Sequence, residues 1–548
     1  MSRREIIETD VLCVGGGIAG LMAAIRAREL GAKVVVVDKA NTSRSGSAGV
    51  GNDHFRCYIP EVHGPDIEPF ITGLAHSPVG GMRDMNIARV WMENSFDIVK
   101  LWDSWGIPMK YRGAYEFAGH GFPGRPIATL KYSGREQKPI LTREALRRGA
   151  VIMNRMMIFD IVHDGGAFAA IGVSTRENRI VEFHARSAVF GTGLCTRLYP
   201  SPTPGWIFNI ANSPNNTGDG RAMAFRVGAE IAGAELTRRW AGPKYFARCG
   251  KGTWVGLLRD REGRPVGPFL TKPDRKYSDM AADIWGNLFE DYGRSGRGPV
   301  YMDCQGISDG DFEYMMHWMN HEGNSALFNH LAEEGADIRQ SPVEFMTYEM
   351  MFSGGIYYNE KAETSLKGLY AAGDEFQGGI SCAATFGWIA GENAARYAAE
   401  APGDVTGEAN GEIENTKTLL RDVSVRREGA SWQEVNVALQ QIMCDYAGSV
   451  RSESLLQAGL SHLRRLKKKA LTLLMARNQH ELMHCLEVIN LFDLGELIFI
   501  AANERKESRG VHVRADYPYT NPLLNRLLVV KKVNGKTEIE WRTLKSSG

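Results

Sequence analysis

Three glycines and one acid, at set distances, are the residues of this chain that most narrowly define a chemistry. Gly15, Gly17 and Gly20 interrupt DVLCVGGGIAG (10–20), and Asp38 closes KVVVVDK (33–39), 18 residues beyond Gly20. Glycines where a strand turns into a helix let backbone N–H groups and the positive helix end approach a pyrophosphate. An acid at the end of the next strand accepts from ribose hydroxyls, so the ordered set points to a dinucleotide. A second Gly-rich stretch, RSGSAGVGN (44–52), follows, and His54 and Arg56 stand just beyond it. His120 and Arg125 lie in the Gly-rich EFAGHGFPGR, and Arg238, Arg239 and Trp240 are consecutive. Histidine moves protons near neutral pH and arginine fixes a carboxylate or phosphoryl group. His54, Arg56, His120, Arg125, Arg239 and Trp240 are therefore the candidate catalytic residues.

These residues need elements to hold them. DVLCV, LMAAIRARELG and KVVVV read as strand, helix and strand. A helical stretch, NIARVWMENSFDIVKLWDSWG, leads to a hairpin around MIFDIVHDGGAFAAIGV and a strand that ends at Thr192 and Gly193. NTGDGRAMAFRVGAEI opens a helix at Asp219, and from about 236 to 343 the pattern turns irregular, as expected of an inserted domain. Strand language returns at 350–375 and passes through Gly373 and Asp374 into a helix that begins near Ser381 and Cys382. PGDVTGEANGE (402–412) reads as a linker, and amphipathic helices are expected from about 432 to 509.

Composition excludes several classes. A chain of 548 residues implies about two to four structural units. Lys plus Arg total 65 against 64 for Asp plus Glu, so no global field recruits nucleic acid or an anionic membrane. Eight cysteines without CxxC spacing leave no metal site or iron–sulfur cluster held by this chain alone, and such thiols suit a reducing, cytoplasmic setting. MSRREIIETD lacks the apolar core of a secretory signal. CLEVINLFDLGELIFIAA (485–502) is interrupted by Glu487, Asp493 and Glu496, and reads as a packed helix rather than a membrane span.

VGGGIAGLMAA, NTGDG, SGGIYYNEKAETSLKGLYAAGDE and RKESRGVHVRADYP (505–518) stand in an order that resembles the succinate dehydrogenase and fumarate reductase flavoprotein family over most of the chain. Shorter blocks, SRSGSAGVGN, SGREQKPIL and GRGPVYMD, resemble its adenylylsulfate reductase flavoprotein (alpha) subunit branch. The resemblance implies an α/β fold with a Rossmann-like FAD-binding domain over 1–235 and 344–401. It also implies an inserted α+β capping domain over 236–343, a helical domain over 413–510 and an extended C-terminal tail over 511–548. FAD contacts carried over by block are Gly15, Gly17, Ile18, Ala19 and Gly20; Asp38 and Lys39; Arg44, Ser45, Gly46, Gly51 and Asn52. Ile158, Thr192, Gly193, Asp219, Gly373, Asp374, Ser381 and Cys382 complete the set. Substrate would bind between cap and flavin.

The departures from the family narrow the chemistry. Gly46 occupies the place of the His that attaches FAD in R-S-H-T members, so FAD is expected to be non-covalent. Met350 and Met351 stand where a substrate His is expected. No H-G-A-N-R fits between Gly373 and Gly378, and the cap Arg position falls near Ala282. Each carboxylate–guanidinium contact is worth about 1.5–3 kcal/mol and a positioned acid about 10²- to 10⁴-fold in rate. The expected function is thus that of the catalytic flavoprotein subunit of an oxidoreductase whose substrate is an organic or nucleotide-like anion other than succinate or fumarate. Adenylylsulfate reduction is one alternative, and a flavin electron-transfer module without its own substrate is another. The basic run HLRRLKKKA (462–470) suggests docking of a ferredoxin-like iron–sulfur subunit, and a higher oligomer stays open.

Overall fold

The computed structural model describes residues 5–544 except 76–83, 122, 202–206, 209, 211, 245–255, 268–269, 278–287, 322–324, 377, 402–404 and 406–409. Strand Val34–Asp38 is buried along its whole length, as a valine run covered on both faces must be. It lies between Val151–Asn154 and Glu5–Val14, both parallel to it. Glu5–Val14 pairs parallel with Ile180–Phe190, whose other edge takes the hairpin strand Ala167–Ser174 and, near its end, Leu369–Ala371. Met156–Asp164 completes the seven-stranded sheet.

Helix Ile18–Glu29 crosses this sheet and packs on helix Ile380–Glu400. Gly391 permits that contact, since a Cβ there would lie 2.2 Å from the Ala23 carbonyl oxygen. The two sequence-distant Gly-rich turns therefore meet at one end of the sheet.

The intervening residues build a second, antiparallel sheet in the order Thr237–Pro243, Val343–Phe352, Val300–Met302, Leu258–Arg259. It has its own core around Met302, Met315, Trp318 and Phe345. A third sheet pairs Ile231–Ala232 with Gly355–Ile356 on one side and with Arg526–Val533 on the other. Arg526–Val533 continues into Lys536–Thr543 as a hairpin, so the chain's last described segment is built into the structure.

Helices Trp432–Tyr446, Glu453–Leu473 and Gln479–Glu504 pack together. The last is buried on nearly every face, its polar His484, Glu487 and Asn490 included. Among the described residues no helix is long and apolar enough to cross a membrane.

Candidate active site

Strand Glu5–Val14 ends on Gly15, where φ is +96° and a Cβ would lie 2.5 Å from the Gly191 carbonyl oxygen. No side chain fits a turn this tight. Gly17, Ile18 and Ala19 then line a cavity of about 750 Å³ with the first turn of the helix. Asp38 also lines it, with its carboxylate accepting from the Gly16 N–H (2.8 Å), the Ala40 N–H (2.7 Å) and the Ser45 hydroxyl (2.9 Å).

The cavity runs past Ser45, Gly46, Gly51 and Asn52 to His54 and Arg56, with Ile158, Thr192, Gly193, Asp219 and Asp374 in its wall. Helix Ile380–Glu400 begins there through Gly379 and Ser381, and the Gly379 N–H donates to Asp374 at 2.8 Å. Thr237, Arg238, Arg239 and Met350, from the second sheet, close it.

This wall fits a dinucleotide. Gly46 (φ +74°) and Gly379 (φ +98°) line the cavity with no described atom within 4 Å of a Cβ position, so the cradle is open where backbone must be approached. Two helix N-termini face the same space, which suits pyrophosphate and other anionic groups.

Four expected contacts fall outside the cavity lining. Gly20 turns inward, where a Cβ would lie 1.9 Å from the Gly15 carbonyl oxygen. Gly373 (φ +71°) sits behind the wall against Ala383. Arg44 extends into solvent and pairs with Glu136 at 3.0 Å. Cys382, one helical step past Ser381, points into the core with its sulfur 3.7 Å from the Tyr358 hydroxyl. The Trp240 side chain and Ala282 lie outside the described residues.

Lys39 and Asp219 belong to a buried ion network. Lys39 Nζ donates to Asp219 (2.7 Å), Thr217 (2.9 Å) and Glu487 (2.7 Å), while Arg197 (2.6 Å) and His484 Nδ1 (2.7 Å) meet the other Glu487 oxygen. Burial opposes the charge on Glu487, but the Lys39 and Arg197 cations outweigh it and hold the carboxyl well below its usual range. The same balance leaves Lys39 with a raised pKa despite burial.

The catalytic candidates converge. His54 and His120 place their ring centroids 4.9 Å apart in the cavity wall. His54 Nδ1 lies 2.8 Å from one Asp53 oxygen, and Lys131 Nζ donates to the other at 2.5 Å. Strand pairing of His54 with Lys131 across a three-stranded sheet fixes this geometry. His120 has φ +50°, and its loop is stitched to the cap by Gly119 and Gly121 N–H groups donating to the Arg275 (2.9 Å) and Lys276 (2.7 Å) carbonyls. Arg125 lines the cavity from an exposed position. Arg239 pairs with Glu290, and its Nε has no acceptor among the described residues.

Several site residues carried no sequence assignment. Trp91 donates its indole N–H to Ser381 at 2.8 Å and lies 5.9 Å from the Arg56 guanidinium. Glu375 accepts from the Thr192 N–H (2.6 Å) and hydroxyl (2.5 Å), and burial raises its pKa. Lys138 donates to the Gly16 carbonyl from a fully enclosed position, and burial lowers its pKa to about 8. The block SGREQKPIL resembles the family, and that resemblance assigns no role to Lys138. Asp53 and Trp91 gave no signal, since neither spacing nor composition marks them.

Fold and site together define a flavoprotein with an α/β nucleotide-binding sheet and an inserted cap. Residues 10–387 match the FAD binding domain family and residues 436–547 match the fumarate reductase flavoprotein C-terminal family. The chain belongs to the succinate dehydrogenase and fumarate reductase flavoprotein family, and is an FAD-dependent oxidoreductase. It is 27% identical to a chain of the CoM/CoB fumarate reductase of Methanothermobacter marburgensis, over 96% of this chain and 98% of that one. The fold is similar to adenylylsulfate reductase of Archaeoglobus fulgidus (TM-score 0.85, 22% identity, 100% of this chain and 98% of that one). It is also similar to the Escherichia coli quinol fumarate reductase flavoprotein FrdA (TM-score 0.83, 20% identity, 99% and 98%).

Proposed function

We propose that this flavoprotein acts on an organic or nucleotide-like anion other than succinate or fumarate, held between Arg56, Arg125, Arg238 and Arg239, with His54 handling the proton. The Asp53–His54 pair carries this reading. A buried carboxylate at Nδ1 selects the tautomer and leaves Nε2 as the atom for proton exchange. FAD, when bound, supplies the two-electron chemistry. Asp38 and the Gly15–Ala19 turn would hold its nucleotide half, and Ser45, Gly46 and the Gly379–Ser381 helix start would hold the ring. Met350 has a thioether with no proton to give, and it lines the cavity. That favours a substrate other than a C4 dicarboxylate.

The test is a panel of carboxylates and adenylylsulfate added to FAD-loaded protein, read by flavin absorbance and viologen-linked turnover. Adenylylsulfate is included because Arg56, Arg125, Arg238 and Arg239 line the cavity and can meet its sulfate and phosphate. The expected result is one responsive anion, turnover down about 10²- to 10⁴-fold in His54→Asn with FAD retained, and binding weakened about 10- to 100-fold in Arg238→Ala. A flavin unresponsive to every anion, or full turnover in His54→Asn, rejects the reading.

Electron exchange with an acidic iron–sulfur partner belongs to the same proposal. Helix Glu453–Leu473 exposes Arg465, Lys468 and Lys469, whereas Arg464 and Lys467 are engaged by Glu496 and Asp493.

A further inference from the structure

The chain enters the cap through Glu235–Thr237, and the strand that follows carries Arg238 and Arg239. The C-terminal part of the chain grips this crossing. Arg451 donates through Nη1 to the Glu235 carbonyl (2.6 Å) and through Nη2 to the Thr237 hydroxyl (2.7 Å). Arg505 Nε donates to the Glu235 carboxylate at 2.7 Å. His512 fixes both arginines, with Nδ1 3.2 Å from Arg451 Nη1 and Nε2 3.1 Å from the Arg505 carbonyl. A guanidinium cannot accept, so Nδ1 is the acceptor and His512 is the neutral Nε2–H tautomer. All three side chains are essentially fully buried.

The crossing is stitched on its other edges as well. The Ser353 N–H donates to the Leu236 carbonyl (2.9 Å), and the Gly233 N–H donates to the Leu528 carbonyl (2.9 Å). Gly510, Val511 and Val513, from the loop that holds His512, line the same cavity as Thr237 and Arg238. The grip therefore sits at the cavity wall.

We infer that Arg451, with Arg505 and His512, is a clamp that fixes the cap's entry strand and so sets where Arg238 and Arg239 stand over the cofactor. Arg451 is a positioning residue; its effect on anion binding rests on the anion site proposed above. A guanidinium that meets a carbonyl and a hydroxyl two residues apart defines both the position and the twist of that strand, which a single contact would leave free.

Arg451 variants risk global unfolding because a buried cation's partners would be orphaned. Thr237→Val deletes one acceptor at nearly constant shape, and Thr237→Ser restores it. Hydrogen–deuterium exchange on the FAD-loaded full chain is the decisive readout. Thr237→Val is expected to speed amide exchange in residues 237–243 about tenfold, with strands 5–14 and 34–38 unchanged and Thr237→Ser like the natural protein. Unchanged exchange in the cap strand, or an equal rise throughout the chain, overturns the clamp.

Titration with inorganic sulfate, followed by flavin absorbance, tests the consequence separately. Thr237→Val should weaken sulfate severalfold, and Thr237→Val with Arg238→Ala should be no weaker than Arg238→Ala alone. A loosened strand with unaltered sulfate affinity overturns the positioning role. A natural protein blind to sulfate counts against the anion site, and the exchange result still decides the clamp.

Discussion

At the scale of single residues, the site is built from conflicts that only particular side chains resolve. Gly15 is one: any Cβ collides with the Gly191 carbonyl at 2.5 Å, so Gly15→Ala should abolish FAD retention on gel filtration. Lys138 is another. Its amine titrates near 8 when folded, below the ordinary value of 10.5, so the unfolded chain binds more protons between those values and folding gains stability as pH rises. The stability of the natural protein relative to Lys138→Met should increase by about 3 kcal/mol from pH 7 to 10.5, measured by denaturant unfolding. A gap independent of pH would contradict this. The glycines and Asp38 were legible in the sequence because backbone approach admits so few residue types. Lys138 and Asp53 were not, because their roles come from what tertiary packing puts beside them.

At the scale of elements, the nucleotide-binding sheet and the C-terminal helices share one buried ion network. Lys39 and Glu487 are 448 residues apart in sequence, and Glu487 sits in a helix buried on almost every face. Removing one charge from such a network leaves its partners uncompensated, so Glu487→Gln should cost about 3–5 kcal/mol at pH 7. The folded carboxyl titrates well below 4.5, so its contribution is present above that value and is lost as pH falls through the folded pKa. The difference in melting temperature between the natural protein and Glu487→Gln should accordingly narrow at acid pH. The acids that interrupt 485–502 argued correctly against a membrane span. Their partners could not be read, because pairing across that separation leaves no periodic trace.

At the scale of the whole molecule, a dinucleotide-binding α/β sheet followed from a motif tied to a backbone requirement, and the flavin followed from the resemblance of four ordered blocks to a known family. The C-terminal segment is where sequence reading stopped short. LLVVKKVNGKTEIEW reads as strand-like, yet only the structure pairs it with Ile231–Ala232 beside the cap crossing. Such long-range register depends on the assembled core. Because Gly46 offers no attachment atom, acid precipitation should release all FAD into the supernatant; colour that stays with the pellet would count against a non-covalent cofactor. If the exposed cations of helix Glu453–Leu473 dock an acidic partner, association should weaken steeply as ionic strength rises, measured by stopped-flow electron transfer.

The most direct test of the central claim is fumarate reduction by the purified, FAD-loaded protein with a reduced viologen as donor. Met350 and Met351 where the family's substrate His is expected, and Ala282 near its cap Arg position, predict turnover below about 0.01 s⁻¹. Turnover in the ordinary enzymatic range, about 1 s⁻¹ or more, would contradict the claim that this site is built for a different anion.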